Sequence, residues 1–173
     1  MIKDLHENDL GFMVGTFYST ILECDIEVMY DKDISLKYVE KNIQYFNNLN
    51  QEFLLDICVA LKRYYENNKE LYPDLYDELP PDILDNFEKD PTSILKYVKI
   101  GVYRFHKCSA NDENIPVLNL GGDCEWAGDA GITIIAKNNQ LLYVGRWQDR
   151  NVWDNRVESR LERMFNYATP KDA

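Results

Sequence analysis

The sequence has no long apolar run, and this absence excludes membrane-spanning proteins. No apolar stretch in the 173 residues approaches the length of about 20 that a transmembrane helix needs. The first residues, MIKDLHEND, carry charges where the apolar region of a signal peptide would be. We therefore expect a cytoplasmic protein with no membrane partner.

Cysteine, histidine and positive charge are also scarce. The four cysteines, at positions 24, 58, 108 and 124, have neither metal-ligand nor redox spacing. They are typical of small buried side chains in a reducing compartment, so we expect no zinc and no other cofactor. Lys and Arg number 19 against 30 Asp and Glu, which gives a formal net charge of −11. This charge disfavours nucleic-acid binding; it serves solubility alone, or it steers association with a basic protein partner.

Catalytic motifs are missing as well. His6 lies at the chain end, where we expect fraying, while His106 and Cys108 would share one face of a strand. The third group and the oxyanion site that nucleophilic catalysis needs are not recognisable. The glycine-rich run GGDCEWAGDAG lacks the Lys-Ser/Thr ending of a phosphate-binding loop and precedes a strand. These features favour a protein that is not an enzyme.

What is present predicts one α+β domain over residues 1–173. The 45% hydrophobic content, with 12 Tyr, 7 Phe and 3 Trp, is sufficient for a folded core. Apolar periodicity predicts a mainly antiparallel sheet of five or six strands, two consecutive helices on one face and a C-terminal helix. The strand patterns cover residues 11–19, 25–30, 98–105, 115–120, 131–137 and 140–147.

Capping residues and prolines locate the helices. Either Asp33 or Ser35 can cap a first helix that ends near Asn47, and Asn50 can cap a second. Residues 69–90 are acidic and contain three prolines, which predicts a loop with a short helix. The pair Asp90-Pro91 indicates a helical turn that ends near residue 97. Residues 154–167 have the apolar spacing of the C-terminal helix.

The pair Asn138-Asn139 predicts a tight hairpin turn, because asparagine tolerates the positive φ of a type I′ turn. A regular ladder then places Ala136 opposite Leu141, Ile134 opposite Tyr143, and Ile132 opposite Gly145. Both faces of this hairpin are apolar. We therefore expect helices on one face and either the final helix or a partner chain on part of the other.

Three carboxylates, on Asp123, Glu125 and Asp129, lie among glycines in the same region. Hard cations prefer such oxygen ligands, but the spacing is not that of an EF-hand, so a structural loop is favoured over a metal site. Aromatic residues nearby are candidates for binding hot spots or for core packing. Core packing is favoured for Trp147, and both readings stay open for Trp126 and Trp153.

The run from Gly121 to Ile134, followed by Tyr143-Val144-Gly145, resembles the C-terminal signature of a family of uncharacterised bacterial cytosolic proteins, a domain of unknown function. Its members typically show an aromatic-acidic loop, an acidic-His-Gly triplet that opens a strand, and a hairpin ending in Val-Gly. Here the triplet reads Asp129-Ala130-Gly131, so the chain lacks whatever role that histidine has in relatives. In size, acidity and compartment such proteins resemble the immunity proteins that block bacterial toxins.

We therefore expect a non-catalytic protein-interaction module, with immunity-type binding of a basic toxin as its specific form. Its acidic surface would lie at residues 74–88 or 123–129. One alternative is a divalent-metal-dependent hydrolase built on the three carboxylates, and another is a homodimeric structural protein. The candidate binding residues are Asp123, Glu125, Trp126, Asp129 and Trp153.

Overall fold

The computed structural model describes residues 1–76, 79, 82–109, 112–153 and 165–169. Within this part of the chain, seven strands form one sheet: β1 (Lys3–Glu7), β2 (Phe12–Ser19), β3 (Cys24–Asp31), β4 (Val98–Phe105), β5 (Val117–Cys124), β6 (Ile132–Lys137) and β7 (Gln140–Gly145). The α-helices described are α1 (Leu36–Asn47), α2 (Gln51–Leu71) and α3 (Ile83–Lys89). Short 3₁₀ helices cover Pro73–Tyr76, Pro91–Tyr97 and Gly128–Ala130.

The strands lie in the sheet in the order in which they occur in the chain. Every neighbouring pair is antiparallel except β3 and β4, which are parallel and joined through the helices. The predicted α+β class with a mainly antiparallel sheet is confirmed, but five or six strands are too few. The sequence does not indicate β1, because all five of its residues are exposed and no apolar alternation marks it.

The two predicted consecutive helices are present. Helix α1 ends at Asn47 as expected, and Ser35 is its N-cap residue, although the Ser35 side chain makes no capping hydrogen bond. Helix α2 begins after Asn50, whose side chain accepts a hydrogen bond from the Phe53 amide at 2.7 Å. It continues to Leu71, into the predicted loop, and the short helix expected there is α3. No helix among the described residues combines the length and apolarity needed to cross a bilayer.

The main core lies between the helices and one face of the sheet. Phe46 of α1 packs edge-on against Phe17 of β2 and Tyr103 of β4, with ring centroids 6.3 and 5.8 Å apart. Buried Asn42 ties α1 to the sheet, since its side chain donates to the Tyr38 carbonyl and accepts from the Val117 amide. Apolar burial at this interface is the main stabilising contribution to the fold.

The opposite face of the sheet is partly covered by the extended segment after β7, and further cover by the final helix or a partner chain stays a prediction. The Gln148 amide donates to the Thr133 hydroxyl at 2.8 Å, and the Asn119 side chain donates to the Arg150 carbonyl at 2.7 Å. Residues 154–164 of the predicted C-terminal helix lie outside the described residues. Its last three residues, 165–167, are described and are not helical.

The predicted hairpin turn is confirmed, because Asn138 and Asn139 have φ values of 53° and 58°. Ala136 pairs with Leu141 as expected, but the predicted register beyond this pair is wrong. An irregularity follows, so that Ile134 pairs with Val144 and the neighbouring Ile135 pairs with Tyr143. An extra residue on one strand of a pair shifts every later pairing by one, and a regular alternation cannot reveal where it occurs.

Candidate functional site

Two adjacent glycines in β5 form the base of a groove on the outer face of the sheet. A Cβ atom at Gly121 would overlap the Trp147 ring, lying 2.9 Å from Cε3. A Cβ atom at Gly122 would lie 2.8 Å from the Cα atom of Ile100 on β4 and would overlap the neighbouring backbone. Only glycine fits at either position, so this part of the sheet presents bare backbone.

The opposing strand is irregular at the same level. In β4, Ile100 pairs with Gly122 and Val102 pairs with Gly121, which leaves Gly101 without a register partner. Such an extra residue bends the strand and increases its local twist. The residue is exposed, and a Cβ atom there would meet its nearest neighbour, the Gly121 carbonyl oxygen, only at 3.9 Å. The irregularity therefore places a third glycine, Gly101, in the groove lining.

The loop between β5 and β6 closes one side of the groove. Gly131 adopts a φ of 58°, a left-handed conformation that glycine adopts without strain. Its carbonyl accepts a hydrogen bond from the buried Tyr64 hydroxyl at 3.2 Å. The Ala130 carbonyl accepts from the Trp147 amide at 2.8 Å. These bonds fix the loop to both α2 and the segment after β7.

The resulting groove is open and has a volume of about 260 Å³. Its lining residues come from β4, β5, the following loop and the segment after β7: Gly101, Val102, Gly121, Gly122, Asp123, Asp129, Gly131 and Trp147. Asp123 and Asp129 are exposed, and within the described part of the chain neither forms an ion pair. Lys99 pairs with Asp123 in the strand register, but their side chains form no salt bridge. The groove is therefore acidic.

Trp147 forms an aromatic wall of the groove. The core packing predicted for it is wrong, because 40% of its surface is exposed and its ring lies over the outer face of the sheet. The Arg104 guanidinium lies over the same ring, with Cζ 4.4 Å from the ring centroid. Arg104 also pairs with Asp149 at 2.6 Å. A guanidinium held by an indole and a carboxylate is thus already part of this surface.

The structure brings together two of the five candidate binding residues, Asp123 and Asp129. Glu125 is exposed and outside the groove lining, and its amide donates to the Tyr97 carbonyl. Trp126 is only 1% exposed and packs edge-on against two tyrosine rings of α2, so it belongs to the core. Trp153 is partly buried and also lies outside the groove, with the Lys137 ammonium 5.5 Å from its ring centroid.

The three carboxylates do not form a metal centre. No group of three or more His, Cys, Asp and Glu residues in the described ranges is arranged to hold a metal ion. Asp123, Glu125 and Asp129 are all among the residues described, so the metal-dependent hydrolase loses its structural basis. Strand β5 ends at Cys124, so Glu125 lies in the turn that follows, and the sequence spacing alone does not show where the strand ends.

The His106-Cys108 pair is not prepared for nucleophilic catalysis. Burial lowers the pKa of His106, and Asp149 opposes this shift only in part. Burial raises the pKa of the Cys108 thiol, and the nearby Glu113 carboxylate raises it further. Burial also raises the pKa of the Cys124 thiol, beside the groove, to about 12. Since the thiolate is the nucleophilic form, a raised thiol pKa disfavours nucleophilic attack by either cysteine.

Six of the eight lining residues were not among the candidate binding residues: Gly101, Val102, Gly121, Gly122, Gly131 and Trp147. One signal was available, because an isolated glycine inside a strand pattern indicates a bulge or a close backbone approach. Gly101 has this position in β4. The groove itself could not be inferred, since its walls are far apart in sequence.

The chain belongs to a family described as a domain of unknown function (DUF6985), whose model matches residues 2–152. The match includes all seven strands and every residue that lines the groove. The expected membership of a family of unknown function is confirmed. No curated protein and no solved structure matches the chain.

Proposed function

We propose that the protein is a non-catalytic interaction module that binds a basic protein partner through the groove on the outer face of its sheet. The single observation that carries this proposal is the groove itself, in which two exposed carboxylates lie beside an exposed tryptophan. In the specific form of this proposal, the partner is a basic toxin, and binding blocks the toxin as immunity proteins do. That form rests on analogy of size and charge.

The charge of the chain supports a basic partner. A net charge of −11 produces a negative potential that attracts positively charged proteins at long range. Asp123 and Asp129 line the groove and form no ion pair with a described residue, so a partner's cation would displace none of the described ion pairs. Complementary charge of this kind raises association rates and excludes wrong partners.

The position of Trp147 supports an interface. Tryptophan is enriched among the residues that contribute most to binding, especially where it is held rigidly. The backbone of Gly121 below the ring and the hydrogen bond from the Trp147 amide to Ala130 fix its position. A partner that covered its exposed 40% would gain apolar burial at a small cost in side-chain entropy.

The test is affinity purification from the native host with four baits: the wild-type protein, Asp123→Asn, Asp129→Asn, and Asp56→Asn. Asp56 is an exposed residue of α2, so Asp56→Asn removes the same charge away from the groove. We expect a basic protein that the wild type and Asp56→Asn retain and the two groove variants lose. Its affinity should fall as salt concentration rises, because salt screens exposed charges.

Capture that is equal for all four baits would contradict the groove as the interface, and an acidic partner would contradict the charge argument. Co-expression of the partner with this protein tests the immunity form. A toxic partner should stop growth when it is expressed by itself and become harmless when the wild-type protein is expressed with it. Light scattering on the purified protein tests the homodimer, which remains the alternative interpretation.

A further inference from the structure

We propose that the groove receives an arginine side chain of the protein partner, with its guanidinium between the Trp147 ring and the carboxylates of Asp123 and Asp129. This inference rests on the proposed function and specifies the chemistry that the groove recognises.

The size of the groove suits one side chain. Its volume of about 260 Å³ is below the roughly 300–1,000 Å³ of pockets that enclose small molecules or cofactors. It is also open along the sheet surface, so a residue of a larger partner can enter without any movement of the strands. These properties favour a protruding side chain over a free metabolite.

The base of the groove presents backbone atoms where a normal strand would present side chains. Side chains are excluded at Gly121 and Gly122 by the Trp147 ring and by β4. Gly101, at the irregularity in β4, has no register partner. Together the three glycines therefore leave a part of the groove without side chains, against which a flat guanidinium can lie.

The two carboxylates of the groove lining add charge complementarity. Asp123 and Asp129 are both exposed groove residues, and in the described chain neither has an ion-pair partner. Hydrogen bonds from a guanidinium to carboxylates are charge-assisted and are stronger than those between neutral groups. Arg104, whose guanidinium lies over the Trp147 ring, is already paired with Asp149, which reduces its repulsion of an incoming cation.

The structure favours arginine over lysine. The Trp147 ring already binds one guanidinium, that of Arg104, at 4.4 Å from its centroid. The planar guanidinium stacks on aromatic rings and forms two parallel bonds to a carboxylate, whereas the lysine ammonium is a compact and strongly hydrated point charge. A flat aromatic wall beside two carboxylates matches the first geometry better than the second.

The experiment is a nuclear magnetic resonance titration of the ¹⁵N-labelled full chain with blocked tripeptides of sequence Gly-Arg-Gly, Gly-Lys-Gly and Gly-citrulline-Gly. Citrulline has the shape of arginine without its charge. We expect the arginine peptide to shift the amide signals of Gly101, Gly121 and Gly122 and the indole signal of Trp147. The lysine peptide should bind more weakly than the arginine peptide, by a factor of about 5 or more. The citrulline peptide should cause no saturable shift.

Matched variants show whether the carboxylates of Asp123 and Asp129 bind the arginine peptide. Asp123→Asn and Asp129→Asn should each weaken binding of the arginine peptide by about 5-fold, as loss of one charge-assisted contact predicts. Asp56→Asn should bind as the wild type does. Unchanged signals elsewhere in the spectrum would show that each variant is folded.

The outcomes separate this inference from the proposed function. Shifts outside the groove, equal responses to all three peptides, or equal loss in Asp56→Asn would overturn the arginine assignment. If a groove-dependent protein partner is captured but the arginine peptide has no advantage over lysine, the assignment is wrong and the interaction module stands. If capture finds no groove-dependent partner, the proposed function fails, and the inference about a partner's arginine fails with it.

Discussion

The indole ring of Trp147 lies on the backbone of Gly121, where no side chain larger than hydrogen fits. A Cβ atom at position 121 would approach three atoms of the six-membered ring, among them Cε3 at 2.9 Å. The same ring lines the groove and carries the Arg104 guanidinium. The absence of a side chain in the middle of β5 thus fixes the aromatic wall of the candidate site.

Gly121→Ala should therefore destabilise the protein and displace the Trp147 ring. Overpacking of this kind costs about 1–3 kcal/mol in the free energy of unfolding. Urea unfolding measures the loss, and tryptophan fluorescence should change because the ring leaves its present environment. Gly101→Ala is the control, since its nearest neighbour would be 3.9 Å away. Equal destabilisation by both substitutions would show that the Trp147 contact is unimportant.

Asn42→Ala should be costly because Asn42 is 1% exposed and its side chain links α1 to β5. Its side chain accepts from the Val117 amide at 2.8 Å and donates to the Tyr38 carbonyl at 3.0 Å. A buried amide left without its acceptor lowers the free energy of unfolding by about 1–3 kcal/mol. In Asn48→Ala only an exposed bond to the Gln44 carbonyl is lost, so the effect should be below about 0.5 kcal/mol.

Comparable denaturation midpoints for the two variants would contradict the role given to Asn42.

Asn50→Ala and Ser35→Ala test helix capping at two N-cap positions that differ in one bond. Asn50 accepts from the Phe53 amide at 2.7 Å, whereas the Ser35 side chain makes no capping bond. Loss of the Asn50 cap should lower the free energy of unfolding by about 1 kcal/mol. Ser35→Ala should change it by less than about 0.5 kcal/mol. Thermal unfolding followed by circular dichroism distinguishes them, and a larger effect at Ser35 would refute the assignment.

Stability should depend on His106 at mildly acidic pH. Burial lowers the pKa of His106 below its usual value of 6.5, so the unfolded chain binds the proton more tightly than the folded protein does. The contribution of neutral His106 is therefore complete above the unfolded pKa. It is lost as the pH falls from there through the lower folded pKa.

Urea unfolding at about pH 7.5 and about pH 5.5 measures this loss, because these two pH values bracket the ordinary titration range of histidine. His106→Gln should show a smaller decrease in the free energy of unfolding between the two pH values than the wild type shows. His6→Gln changes an exposed position of β1, and its free energy of unfolding should decrease between the two pH values as much as that of the wild type. An identical pH dependence in His106→Gln would mean that other groups cause the loss.

Local sequence patterns predicted several elements closely. Residues 98–105 are β4 as expected, α1 ends at Asn47, and Asn50 caps α2. The Asn138-Asn139 turn has the positive φ values that its residues indicated. Each of these features depends on the conformational preference or the periodicity of a few neighbouring residues, which the sequence contains directly.

Other features could not be predicted, because they depend on which distant segments meet. Strand β1 has no apolar alternation, and its place at the sheet edge is defined by pairing with β2. The irregularity between Ile135 and Ala136 changes the pairing of Tyr143 without any mark in the apolar pattern. Trp126 and Trp147 look alike as aromatic residues near strand ends, yet one is buried against α2 and the other is exposed.

By itself, the sequence determined the α+β class, the two consecutive helices, the hairpin turn and the acidic character of the protein, since composition and short-range periodicity set these properties. Only the tertiary structure decided that Asp123 and Asp129 meet Trp147 in a groove while Glu125 lies apart. The physical reason is that strand pairing and the path of the chain after β7 bring those residues together, and such contacts follow from packing across the whole sheet.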